Sequence, residues 1–221
     1  MSDTRWKLAS TAMLASILLG CGGAQGTEPQ DMSAADHRAA ADAHDEAAAG
    51  HDAQYDPEAV DTRLPTGAAG GGQLYDWAEE VYNPTASHST AAREHDDVAA
   101  QHRRAAATLE AFERQQCASF PPSTRALCPL LGQLASADDV DGGVRLVFRE
   151  GVNSDAAHQH VACHVAFAGT QGREGMDHCP MYVPGARVER GEDGATLLVT
   201  DEAGAVSDLR HRAHAHLPEH S

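Results

Sequence analysis

The segment from His160 to Met181, "HVACHVAFAGTQGREGMDHCPM", gathers thiol, thioether and imidazole groups in one short run. His160 and His164 are one helical turn apart with Cys163 beside them, and Met176, His178, Cys179 and Met181 follow on the returning stretch. Such a donor set suits a soft or borderline ion, Cu(I) or Zn(II). It is not a diagnostic signature, since no Cys-x-x-Cys occurs. The same cysteines have a second use. Apart from Cys21, the chain carries Cys117, Cys128, Cys163 and Cys179, an even number that an oxidising compartment turns into two disulfides. Local pairing, Cys117 with Cys128 and Cys163 with Cys179, is the expectation; each bridge would close a short loop and contribute about 3 kcal/mol. Oxidation would remove the two best ligands and leave only the His and Met residues for an ion. A thiol–disulfide enzyme ranks third, because an attacking thiolate normally comes with a resolving partner or an activating site.

Histidine recurs elsewhere with a fixed spacing. "HRAAADAHDEAAAGH" holds His37, His44 and His51, and "HSTAAREHDDVAAQH" holds His88, His95 and His102. Each member of the second set lies 51 positions after its mate in the first, and within each set the period is a heptad. On a helix, residues seven apart are separated by ~10.5 Å, so one ion cannot bridge them within one helix. A histidine-bearing alanine seam packed on a neighbour is expected, with a metal-loading or proton-sensing seam between two helices as the sharper alternative. In the second copy Ala91, Val98 and Ala105 fall at the apolar heptad position beside the histidines, and Leu109 and Phe112 extend the stripe. The C-terminal "HRAHAHLPEH" (His211, His214, His216, His220) reads as a solvated helix end, where protonated imidazole is mildly favoured.

No GxSxG, HExxH, phosphate-binding loop, GxGxxG or paired-carboxylate pattern is present, so no catalytic residue is assigned and a non-enzymatic, structural or interaction role is expected, with soft-metal binding or buffering by the 160–181 cluster as the alternative. Formal net charge is −17, with 33 acidic residues against 16 basic ones. That balance argues against nucleic acid as a partner and favours solubility and cation accumulation.

The N-terminus supplies an address. Arg5 and Lys7 precede the apolar run Leu8 to Gly20, too short and too interrupted by Ser and Thr to span a membrane. The run ends in "LLGCGG", which resembles the lipobox of bacterial lipoproteins. That resemblance implies cleavage before Cys21, a diacylglyceryl group on its thiol and acylation of the new amine. Acyl chains at ~0.8 kcal/mol per buried methylene would then anchor the chain to a bilayer, its one identified partner. The resemblance also implies an envelope location and, by the same analogy, Gly22 rather than Asp after the cysteine implies the outer membrane.

These groups need elements to position them. Residues 1–20 read as a signal peptide and 21–83, rich in Ala, Gly, Asp and His, as a tether with at most one marginal helix. Residues 84–117 read as an amphipathic helix begun by Asn83 and Pro84, and 118–143 as a loop-rich connector. Residues 144–217 read as a small α+β domain, with 218–221 as a tail. "VRLVFRE" turns Val144, Leu146 and Phe148 to one face of a strand. A helix capped by Ser154 or Asp155 and stopped by Gly169 follows. "ARVER" and "ATLLVT" form a hairpin about "GEDG", and a helix runs from Asp201 to Leu217. Strand, helix, strand, strand, helix makes a two-layer α+β sandwich, close to half of a ferredoxin-like unit.

The lipobox, the His-x-x-Ala-Ala-x-x-His copies, the "YDP" and "YNP" elements (Tyr55–Pro57 and Tyr82–Pro84), the Cys163-His164 pair and "GMDHCPMYVPG" together resemble a group of bacterial envelope lipoproteins of unassigned function. The resemblance implies an architecture and a location, not a reaction.

Overall fold

The computed structural model describes residues 26–63, 80–172 and 174–217. The lipobox, Cys21 and His220 lie outside them. The chain is an α+β protein built from a two-helix arm and a four-stranded antiparallel sheet.

The arm begins inside the expected tether, of which residues 34–52 form a helix docked on a partner rather than a solvated linker. Helix α1 spans Ala34–Asp52 and packs along α2, Ala86–Gln116. Ser33 starts α1: its Oγ accepts from the Asp36 amide at 3.1 Å and donates to the Asp36 carboxylate at 2.6 Å. The alanine content that reads as low complexity is also the best helix-forming composition, and a docked partner removes the marginality of an isolated helix. Ala34, Ala41 and Ala48 of α1 and Ala92, Ala99, Ala105 and Ala106 of α2 are buried. Five of these alanines stand four residues after a histidine, so most of the apolar seam falls one position beyond Ala91 and Val98. Side chains this small let the two backbones approach closely.

Strands β1, Asp61–Arg63, and β2, Glu80–Tyr82, pair antiparallel beside the arm. The two Tyr-containing elements meet at its end: Asn83 Nδ2 donates to the Asp56 carbonyl at 2.7 Å, and the Asp56 amide donates to Thr85 Oγ1 at 3.0 Å. Short helix α3, Pro122–Arg125, follows α2.

The sheet has the order β3-β4-β6-β5, from β3 (Leu134–Val140), β4 (Gly143–Phe148), β5 (Ala186–Arg190) and β6 (Thr196–Thr200). Strand β3 lies inside the expected connector, which is therefore not all loop. It is an edge strand of mostly small and polar residues in which only Leu134 and Ala137 are buried. Helix α4, Ser154–Gln171, crosses from β4 toward β5, capped by Asn153 rather than Ser154 or Asp155. It runs past Gly169 to Gly172, whose φ of 93° ends it. A 3₁₀ turn at Pro180–Tyr182 precedes β5, and α5, Val206–His214, is shorter than expected. Leu130, Leu134, Val144, Leu146, Val161, Met181, Leu198 and Leu209 form one core between the sheet and helices α4 and α5. Among the described residues no helix is long and apolar enough to cross a membrane.

Candidate functional site

Two groups of side chains bring chemistry together, one along the arm and one beneath the sheet. In the arm, α1 and α2 run antiparallel, so the histidines pair in reverse order: His37 with His102, His44 with His95, and His51 with His88. Only the middle pair joins residues that correspond in the two copies. In every pair the two Nδ1 atoms face each other, at 2.9, 2.9 and 3.1 Å. Successive pairs also touch, because His44 stacks on His102 at 5.7 Å and His51 on His95 at 5.5 Å between ring centres. Six imidazoles thus form one file. Ion pairs at its rim, Arg38 with Glu110 and Arg103 with Asp45, tie the helices together.

The tautomer at the buried pair follows from its partners. A carbonyl only accepts, so His37 donates from Nε2 to the Glu28 oxygen at 3.1 Å. In the neutral ring His37 Nδ1 is then the acceptor, and His102 donates to it. Burial, then the neighbouring His37 and His44, hold His102 below the ordinary imidazole pKa. Two nitrogens facing each other at this distance are in hydrogen-bond contact, with one proton between them.

Beneath the sheet the cysteines are arranged otherwise than local pairing requires. Cys117, at the end of α2, is bonded to Cys163 of α4, clamping the arm to the domain. The expected Cys117–Cys128 and Cys163–Cys179 bridges are absent, because α4 carries Cys163 beneath α2 and leaves the other two sulfurs to meet across the core. Cys128 is partly exposed and Cys179 buried, both as free thiols packed against the same core and near enough to shift one another's titration.

Two histidines flank this sulfur pair. His164 donates from Nδ1 to the Arg125 carbonyl at 2.7 Å, which leaves Nε2 as an acceptor 3.6 Å from Cys179 Sγ. His216 donates from Nδ1 to the Arg212 carbonyl at 2.8 Å and lies beside Cys128. Arg125 is itself fixed by an ion pair to Glu113 at 2.8 Å. The Cys179 hydrogen bond, aided by His216 and the Leu130 backbone against the cost of burial, draws the Cys128 thiol far below its usual range. Its partnership with Cys128, followed by burial, pushes Cys179 up. Burial holds His164 low, and the hydrogen bond to Cys128 raises His216.

The donor set expected between His160 and Met181 is dispersed. His160 donates to the Thr124 carbonyl at 3.2 Å and stacks on Phe120. Cys163 is in the disulfide, Met181 is in the core, and Met176 and His178 are exposed. Of that set the side chains of His164 and Cys179 meet at 3.6 Å, and among the described residues no three His, Cys, Asp or Glu side chains form a group able to hold a metal ion. In the tail, His214 meets Asp139 at 2.9 Å and His211 is exposed. Sequence reasoning missed Cys128 beside Cys179 and His216 beside Cys128, because nothing local links a connector, a loop and the stretch after the last helix. No family model matches the chain, and searches of curated proteins and of solved structures find no similar protein.

Proposed function

We propose that this chain is a membrane-anchored protein of the bacterial envelope whose paired-histidine seam takes up borderline transition-metal ions such as Zn(II), Ni(II) or Cu(II). One observation carries the reading: three facing pairs of Nδ1 atoms, at 2.9, 2.9 and 3.1 Å. Two imidazole nitrogens on one tetrahedral ion, each ~2.0 Å from it, lie roughly 3.3 Å apart. A rung would open by only a few tenths of an ångström to admit an ion. His37 already gives its outer N–H to a backbone carbonyl, the arrangement that orients an imidazole ligand. Two protein nitrogens per rung leave the other coordination positions to water, which suits a series of modest sites that buffer a metal. The net charge of −17 raises the local concentration of cations. "LLGCGG" supports acylation at Cys21 and hence the bilayer as the anchor, and the role requires no reaction. A purely structural or interaction role is the alternative and takes up no metal.

Equilibrium dialysis of the full chain with Zn(II) or Ni(II), in a Cys128→Ser/Cys179→Ser background that silences the sulfurs, separates the two. Uptake should reach one ion for each of the three rungs, fall by one in His44→Gln, and vanish in His37→Gln/His44→Gln/His51→Gln. Absence of uptake in the parent, or equal uptake in the triple variant, would overturn the metal reading.

A further inference from the structure

The sulfur pair beneath the sheet carries chemistry that metal uptake by the arm does not use. Four groups from four separate places form a chain of contacts: His164 on α4, Cys179 before the 3₁₀ turn, Cys128 after α3, and His216 beyond α5. The two sulfurs differ in access. Cys179 is buried, whereas Cys128 is partly exposed at the mouth of a groove lined by Phe120, Leu127, Leu131, Val152 and His160. Each imidazole gives its Nδ1–H to a backbone carbonyl, and the remaining nitrogen of His164 faces Cys179 Sγ. An accessible sulfur with an imidazole beside it, backed by a buried sulfur with its own proton acceptor, is the division of labour that thiol–disulfide exchange requires.

We propose that Cys128 and Cys179 form a redox-active pair that exchanges with the disulfides and thiols of other molecules, while Cys117–Cys163 serves as the structural bridge. The Cys128 thiolate attacks one sulfur of an incoming disulfide; a bond forms between Cys128 Sγ and that sulfur, and the other sulfur leaves as a thiolate. Cys179 then passes its proton to His164 Nε2 and attacks Cys128 Sγ. The second thiolate leaves and Cys128–Cys179 is closed. Two electrons have moved from the pair to the substrate, one proton rests on His164, and the reverse sequence oxidises a dithiol. His216 is a positioning residue that stabilises the attacking thiolate, and His164 is the base for the resolving sulfur. The neutral His164 that burial favours is the form able to accept that proton.

Redox titration of the full chain in reduced and oxidised glutathione, read by thiol alkylation and mass, tests the pair directly. Cys128 and Cys179 should pass between dithiol and disulfide within the glutathione range while Cys117–Cys163 stays closed. Cys179→Ser should trap a mixed disulfide with glutathione at Cys128, and Cys128→Ser should trap little at Cys179. His216→Gln should move the pH midpoint of Cys128 alkylation upward, because the imidazole beside the thiol no longer favours its thiolate. Three results would overturn the proposal: a Cys128–Cys179 bridge as resistant to reduction as Cys117–Cys163, failure of Cys179→Ser to trap glutathione, or stoichiometric protection of both thiols by Zn(II) alone. Retained circular dichroism in Cys179→Ser and His216→Gln separates each outcome from misfolding.

Discussion

Histidine serves the arm and the domain in opposite ways. Along the arm, six imidazoles come from two helices at a constant spacing, and each meets another imidazole. Beneath the sheet, His164 and His216 come from unrelated elements and each meets a sulfur. The first arrangement is made by repetition: once one rung is in register, helix geometry places the other two. The second is made by convergence, and it exists only after the whole domain has closed. The packing differs in the same sense. Alanines line the arm, so little apolar area is buried per residue, whereas leucine, valine and methionine fill the domain core.

Stability measurements can break that comparison, and the largest effect should come from the joint between the two regions. Cys117→Ala/Cys163→Ala removes a bridge spanning 46 residues, and the chain-entropy relation gives a loss of about 4 kcal/mol in denaturant unfolding. Leu198→Ala, at a fully buried position on β6, should cost about 3 kcal/mol and lower the stability of the sheet and its helices together. Ala99→Leu, at a fully buried position in the seam, should cost about 2 kcal/mol by overpacking. Its signature is regional: amide exchange should accelerate in α1 while β4 and β6 keep their protection. Equal acceleration in the sheet would show that the arm and the domain unfold as one unit.

Acid should sharpen the contrast within the sulfur pair. Burial depresses His164, so the unfolded chain takes up that proton first; this contribution is present above the ordinary imidazole value of ~6.5 and is lost as pH falls below it. His216 is raised by Cys128, so its contribution is present below ~6.5 and is lost as pH rises through its folded value. The stability of the reduced chain should therefore fall further on acidification from pH 7 to 5 in His216→Gln, and less in His164→Gln, than in the parent. The smallest effect should come from Arg38→Ala. Its ion pair with Glu110 is exposed, and its loss should cost less than ~1 kcal/mol.

The same contrast explains which parts were legible in the sequence. A heptad of histidines is a one-dimensional pattern, so their common face on a helix could be read from spacing alone. The seam alanines could be read only to within one position, because Ala91 and Ala92 are adjacent and the antiparallel partner decides which is buried. The strand at Val144 to Phe148, the hairpin after Val183 and the helix at Val161 follow from periodicity, and the structure contains them. Helix α1 was hidden by its composition: alanine, aspartate and histidine resemble a solvated linker until a partner helix is supplied. Strand β3 was hidden because "LASADDV" lacks the branched and aromatic residues that mark a strand. The disulfide partners were beyond reach for another reason. Cys117 and Cys163 are brought together by the path of α4, which no local loop length encodes.

The reversed pairing of the histidines has a geometric consequence of its own. Because His37 answers His102 as His88 answers His51, the arm has an approximate local dyad through the His44–His95 rung. Two copies of one segment are folded onto each other as the halves of a homodimer would be, with the connection supplied by the chain. The dyad ends where the copies become unequal. Helix α1 has 19 residues and α2 has 31, and the surplus of α2 carries Cys117 to α4. A symmetric zipper has thus been given one asymmetric end, and by that end it is riveted to the rest of the molecule.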